Sequence, residues 1–257
     1  MPKANYELHY WPGIPGRGEF IRLALEYAGA PYVDVVRTAG LGPMMAYLEG
    51  KRGGMLPFAP PFLVHGKLVI AQTANVLQYL APRHDLVPKS DASRIFAHQL
   101  QLTLSDLVVE AHDVHHPIGV DFYYEDQKPE AKRRAKDFVE ERLPKFLSYF
   151  ESVLERGASR YLIGNRLTYI DLSAFQVVSG LQYAFPRAMG RVSPATPRLS
   201  ALVDRVAGHE RLQAYFGSPR RLAFNEQGLF RHYPELDPPE PTAAKRSGAR
   251  GRKIRQS

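Results

Sequence analysis

Cysteine is absent from the 257 residues, which excludes disulfides, thiolate metal centres and a cysteine nucleophile. Long apolar runs are missing too. No stretch approaches the roughly 18–20 residues that cross a bilayer, so no membrane span is expected. Behind Met1-Pro2-Lys3-Ala4-Asn5-Tyr6 there is no apolar signal-peptide core, and a cytoplasmic location is the expectation. Tryptophan occurs once, at Trp11. What is present suits a globular chain: 44% hydrophobic and 23% charged residues, enough for one large core or two modest ones.

The net charge of +8 is unevenly spread. From Asp237 onward, Lys245, Arg246, Arg250, Arg252, Lys253 and Arg255 face only two acids, Asp237 and Glu240. Half of the excess therefore falls on an end rich in Pro, Ala, Gly and Arg, with almost nothing apolar to bury. Such a segment cannot offset its ordering entropy, and residues 237–257 are expected to be a disordered, solvated basic tail. Contact of this tail with nucleic acid or an anionic membrane is the less favoured alternative.

The first eighty residues alternate strand and helix signals. Tyr6 to Trp11 (YELHYW) alternates as a short strand does, and Pro12 to Gly18 (PGIPGRG) is a breaker cluster. Glu19 to Ala28 places Phe20, Leu23, Ala24 and Tyr27 on one helical face, with Gly29 as its stop. Tyr32 to Val36 (YVDVV) reads as a second strand, so β-α-β order favours parallel pairing through a right-handed crossover. After an irregular stretch, Phe62–Val64 and Lys67–Ala71 flank His65-Gly66 as a hairpin, and Gln72-Thr73 opens a helix from Ala74 to Leu80. Beyond Asp91 only helical patterns follow, at about 91–115, 129–156, 169–186 and 197–216. The expected domains are residues 1–83, an α/β unit, and 91–236, an all-helical unit. Between them runs a linker, 84–90, within the poorly apolar Ala81–Ser90 segment. Thr168-Tyr169-Ile170-Asp171 has the spacing of a capping box, and its loss is expected to cost roughly 0.5–2 kcal/mol of stability.

Four stretches resemble one family, the cytosolic glutathione S-transferases, and among them the tyrosine-type sigma, alpha and mu classes. They are Tyr10-Trp11 with Pro15-Gly16-Arg17 and Arg22; Pro60-Pro61-Phe62-Leu63; Gln72-Thr73-Ala74-Asn75-Val76-Leu77; and Tyr161-Leu162-Ile163-Gly164-Asn165 followed by the Thr168–Asp171 box. The resemblance implies a thioredoxin-like N-terminal domain, an all-helical C-terminal domain and a homodimer. It places Tyr10 on the thiol-activating tyrosine, Arg17 on its assisting arginine and Pro61 on the cis-proline. Trp11, Pro60, Gln72 and Thr73 fall in the glutathione site. Asp106 resembles the acid that reaches across the dimer to the glutathione amine, and equally reads as a solvated helix acid.

The chemistry follows from the residues as well. A free thiol near pKa 8.5 is only a few per cent ionised at pH 7, and a hydroxyl donor plus a nearby cation favour its thiolate. Tyr10 and Arg17 supply those two groups. A helix N-terminus at Gln72-Thr73 offers free N–H groups, a hydroxyl and an amide to the γ-glutamyl carboxylate.

Two departures from the family stand out. Pro60 has no N–H where the residue before the cis-proline normally pairs with the cysteinyl backbone of glutathione. The tryptophan–lysine pair that grips the glycine carboxylate is missing, and Lys51 and Arg52 stand in by chemistry alone. The lack of cysteine separates the chain from the cysteine-type omega, beta and lambda classes.

His112, His115 and His116 lie at helical spacing, but no further ligand is placed to complete a shell, so they are read as a helix end or as pocket lining, with no metal expected. The leading reading is a transferase that uses glutathione as co-substrate against a small hydrophobic electrophile. The competing one is a non-catalytic glutathione-binding or scaffold protein of the same fold.

Overall fold

The structure, a computed structural model, describes residues 5–239. Strands β1 (Tyr6–His9), β2 (Tyr32–Asp34), β3 (Phe62–His65) and β4 (Leu68–Ala71) form one sheet in the order β2-β1-β3-β4. β1 runs parallel to β2, with Leu8 opposite Asp34, and antiparallel to β3, with Leu8 opposite Leu63. The parallel pair needs a crossover, and helix α1 (Gly18–Ala28) supplies it, stopped by Gly29 at φ 63°. The β3–β4 hairpin turns at Gly66, φ 61°.

Each sheet face has its own cover. Ile21 and Leu25 of α1, with Val76 and Leu80 of α4 (Thr73–Leu80), close over Tyr6, Leu8, Leu63 and Ile70. On the other face, Val36 and Met44 cover Phe62, Val64 and Val69. That second cover corrects the sequence expectation. The strand foreseen to Val36 stops at Asp34, and Val35–Ala39 is a short helix, α2, followed by α3 (Gly42–Leu48) in the stretch read as irregular. Burial of Val36 and Met44 on the sheet outweighs the strand propensity of YVDVV.

α1 also serves a second core. Its Phe20, Leu23, Ala24 and Tyr27 stripe packs into the large apolar cluster of the helices that follow. Those are α5 (Asp91–Asp113), α6 (Lys128–Asp137), α7 (Leu143–Gly157), α8 (Tyr169–Ala184), α9 (Pro186–Val192), α10 (Pro197–Ala207) and α11 (Glu210–Phe216). The long 129–156 pattern contains a π-helical turn at Phe138–Arg142. Pro186 starts α9 where one helix was expected to 186, and Gly208 divides 197–216 into α10 and α11. The Ala81–Ser90 segment buries more than its composition suggested, because Leu86 and Val87 both enter the helical core.

The tail expectation also needs correction at its first residue. Asp237 is buried, and its carboxylate accepts from the Arg187 and Ala188 backbone N–H groups at 2.6 and 2.9 Å. It thereby satisfies the free N-terminal donors of α9. Residues 240–257 lie outside the described residues.

The Thr168–Asp171 box forms at the start of α8. The buried Asp171 carboxylate accepts from the Thr168 N–H and hydroxyl at 2.7 Å each, and from the Leu162 N–H at 2.9 Å. It therefore caps one helix and anchors the preceding loop. Asp171→Ala orphans two buried backbone donors besides removing the cap, so we expect a loss of about 2–4 kcal/mol. Thermal unfolding should then fall by about 5–15 °C for a chain of this size; a drop confined to 1–2 °C would mean that water replaces the carboxylate.

Candidate active site

The N-terminal half of the site is built on a close approach. β1 ends at His9, and Tyr10 follows directly with its side chain almost fully buried. The Pro15–Gly18 loop lies on its ring. A Cβ at Gly16 would stand 2.1 Å from the Tyr10 hydroxyl, and one at Gly18 2.6 Å from the ring. Only glycine fits, and Gly16 also sits at φ 42°. The Arg17 N–H donates to the Tyr10 oxygen at 2.9 Å, so the phenol stands at the entrance of α1. Among the described residues its own proton has no acceptor. Burial raises the Tyr10 pKa against the opposing pull of the Arg17 N–H and the Arg17 and Arg22 cations. The phenol therefore stays protonated at neutral pH and keeps a hydrogen to donate.

A buried polar network holds this loop. Arg22, with no exposed surface, donates to Asp34 at 2.7 Å, to Glu19 at 3.2 Å and to the Pro15 carbonyl at 3.3 Å. Glu19 in turn accepts from the Tyr215 hydroxyl at 2.6 Å and from Arg221. Burial opposes the Arg22 charge, but the two carboxylates prevail and raise its pKa. Arg22 thus holds the loop over Tyr10 in place.

A cavity of about 640 Å³ opens beside this loop. Its wall brings together Arg17 and Phe20 of the α1 entrance, Phe58 to Pro61 before β3, Gln72 to Asn75 at the start of α4, and His98, Gln101, Ser105 and Val108 of α5. The Pro60–Pro61 peptide is cis, as the resemblance implied. Gln72 adopts φ 69°, unusual for a side-chain-bearing residue, as the chain turns from β4 into α4. Three buried polar atoms on this wall have no protein partner: Thr73 Oγ1, Gln101 Oε1 and His98 Nδ1. With the free first-turn N–H groups of α4, the Thr73 hydroxyl forms a ready anion seat.

Of the residues singled out from the sequence, Arg17, Pro60, Pro61, Gln72 and Thr73 share this wall. Tyr10 lies one layer behind Arg17. Trp11, Lys51, Arg52 and Asp106 are not part of the wall. Trp11 is 40% exposed, Lys51 pairs with Glu49 at 2.5 Å, and Arg52 sits 5.9 Å from the Tyr47 ring centroid. Asp106 is exposed on α5. Gln101 and His98 were not foreseen. The available signal was a glutamine on the apolar stripe Ala97, Leu100, Leu104, a position that water-facing glutamines avoid.

The three histidines do gather, their ring centroids 4.8–5.1 Å apart. Burial lowers the pKa of His112 to about 4 and of His115 to about 2, with the Arg17 guanidinium adding to the effect at His112 and that of Arg231 at both. His115 Nε2 pairs with the Leu229 carbonyl at 3.0 Å, tying α5 to the C-terminal segment. A buried neutral histidine gives a definite sign. Its folded pKa lies below the unfolded value of about 6.5, so stability is complete above that pH and is lost as pH falls below it. Between pH 6.5 and 5.0, His115 should remove about 2 kcal/mol. Urea unfolding of the parent and His115→Asn at pH 7.5 and 5.0 checks this: the variant's loss should be smaller by about that amount, and parallel losses would contradict it.

The comparisons with known proteins agree with this architecture. Residues 112–219 match the family model described as the glutathione S-transferase C-terminal domain. The human glutathione S-transferase Mu 1 is 28% identical over 219 residues, covering 84% of this chain and 92% of the relative. The glutathione S-transferase of Plasmodium yoelii yoelii is 21% identical over 210 residues, 81% of this chain and 92% of the relative. The chain is thus similar to glutathione S-transferases along most of its length. Among solved structures, the Onchocerca volvulus Pi-class glutathione S-transferase superposes with a TM-score of 0.67 at 21% identity, over 87% of this chain and 99% of that one. The Nilaparvata lugens prostaglandin synthase D superposes with 0.66 at 17%, over 85% and 100%. These two likenesses concern the fold, a thioredoxin-like sheet unit with an all-helical unit behind it. The cavity thus lies where both units contribute wall residues.

Proposed function

We propose that this chain is a tyrosine-type glutathione transferase, in which Tyr10 donates its phenolic hydrogen to the glutathione sulfur. One observation carries the reading: a phenol kept protonated by burial, accepting from the Arg17 N–H and left with a free hydrogen one residue behind the cavity wall. Arg17 adds positive field, and the α1 N-terminus adds its dipole. The γ-glutamyl carboxylate docks on Thr73, Gln72 and the first turn of α4, which the partnerless Thr73 hydroxyl supports. Pro60 offers no N–H, so the peptide portion of glutathione is gripped mainly through its ends. The thiolate then attacks a hydrophobic electrophile held against Phe20, Phe58, Leu104 and Val108. No metal takes part. The histidine cluster feels the Arg17 and Arg231 cations, which oppose a divalent ion.

In this reading residues 1–83 carry the glutathione site, and 91–236, joined to them by 84–90, complete the electrophile wall with Leu104 and Val108. The protein works as a homodimer. Phe58 is 94% exposed, and Leu102 and Val109 are about half exposed on the same cavity rim; this apolar face suits a second copy, whose approach would also decide whether Asp106 reaches the ligand.

The competing reading, a binder without turnover, draws on Pro60 and on the outlying positions of Lys51 and Arg52. Retention on immobilised glutathione together with turnover of an aryl halide separates the two. Thr73→Val should weaken glutathione binding about tenfold or more, as loss of a hydrogen bond to a charged group does. Undiminished binding by that variant would displace the carboxylate from α4, and retention without turnover would favour the binder.

A further inference from the structure

At the other end of α1 lies a second concavity, a groove of about 470 Å³ walled by Arg160, Arg166, Arg205, Tyr27, Tyr161 and His209. Its arginines are held by carbonyls and aromatic faces, and not by carboxylates. Arg22, Arg134, Arg142 and Arg221 each lie against a carboxylate elsewhere in the chain. Among the described residues, Arg160, Arg166 and Arg205 have no acidic partner. Arg166 donates to the Asp85 carbonyl at 2.5 Å and Arg205 to the Arg160 carbonyl at 2.7 Å. The Arg160 and Arg205 guanidiniums lie 5.9 and 5.7 Å from the Tyr161 ring centroid. Arg205 Nε is buried with no partner at all. Arg211, 5.4 Å from the Tyr27 ring centroid, brings further positive charge to the same end of α1.

The acids nearby do not balance this. Glu210 lines the groove, and the buried Asp171 close to Tyr27 is engaged by Leu162 and Thr168. Guanidiniums gathered on carbonyls and aromatic faces repel one another unless an anion joins them, and their planar forks match phosphate oxygens. Two tyrosine faces beside them can carry the rest of a ligand.

We propose that this groove is an anion site, distinct from the glutathione cavity, for a ligand bearing a phosphate or diphosphate group. The test is calorimetric titration of the full chain with pyrophosphate at fixed ionic strength, beside sedimentation with phosphatidic acid vesicles. Arg160→Gln is the informative variant, because the Arg160 guanidinium makes no hydrogen bond among the described residues. Saturable one-site binding of pyrophosphate, weakened at least tenfold in Arg160→Gln and unchanged in Lys132→Gln on α6, is the expected result. Arg160-dependent retention on vesicles without pyrophosphate binding would support the same site with a lipid headgroup as its ligand. Absence of both, equal weakening by Lys132→Gln, or loss of binding when residues 240–257 are removed would overturn the proposal.

Discussion

Tyr10→Phe is expected to lower turnover of an aryl halide about 10²–10³-fold while glutathione retention stays near the parent level. The basis is a single hydrogen. Phenylalanine keeps the ring on which Gly16 and Gly18 close, so the loop stays in place although the Arg17 N–H loses its acceptor. What is lost is the donor to a resident anion, which in comparable sites costs roughly 2.7–4 kcal/mol of barrier. The effect must also show as a shift in pH dependence. Without the phenol the thiol ionises at higher pH, so the deficit should shrink as pH rises. A variant equally impaired from pH 6 to 9 would point to damaged packing, not to a missing donor.

The largest stability effect is expected at Arg22. Removing one member of a buried, hydrogen-bonded charge network leaves the others uncompensated, at a cost of about 3–5 kcal/mol. Arg22→Met would strand Glu19, with no exposed side-chain surface, and Asp34, at 11%. It would also release the Pro15 carbonyl and thereby the loop over Tyr10. Midpoint denaturant measurements should therefore show a large loss, and Arg22→Lys should restore only part of it, since an ammonium cannot serve Asp34, Glu19 and Pro15 in one plane. A loss below about 1 kcal/mol in Arg22→Met would mean that solvent enters the network. Because Arg22 acts on the site through the loop, residual turnover in that variant should recover when the fold is stabilised by bound glutathione.

How far these features were legible depends on the range over which each is encoded. The β1-α1-β2 crossover, the β3–β4 hairpin, the Gly29 stop and the Thr168–Asp171 cap are written in residues close together in the chain. All four form, with the hairpin turn moved one residue on to Gly66-Lys67 and β2 ending at Asp34. α2 and α3 were not legible, because Val36 and Met44 earn their helical state only by lying on Phe62 and Val69, far along the chain. Asp237 looked like one acid in a basic tail; its partners, the N–H groups of Arg187 and Ala188, lie 50 and 49 residues upstream. The same holds at the site. Gln72-Thr73 could be read from helix-start chemistry alone, whereas Gln101 and His98 face the cavity only because α5 packs there. Glu19 opens a helix in the sequence, and its partners Tyr215 and Arg221 lie about 200 residues further on. Lys51 and Arg52 were chosen for charge without a positional signal, and charge alone did not bring them to the wall.

The most direct test is spectroscopic titration of glutathione bound to the protein, following thiolate absorbance with pH in the parent and in Tyr10→Phe. If Tyr10 donates to the sulfur, the bound thiol should titrate well below the free value of about 8.5, at about 6.5, and return towards about 8.5 in the variant. A bound thiol that titrates at about 8.5 in the parent, or at the same lowered pH in both proteins, would contradict the assignment.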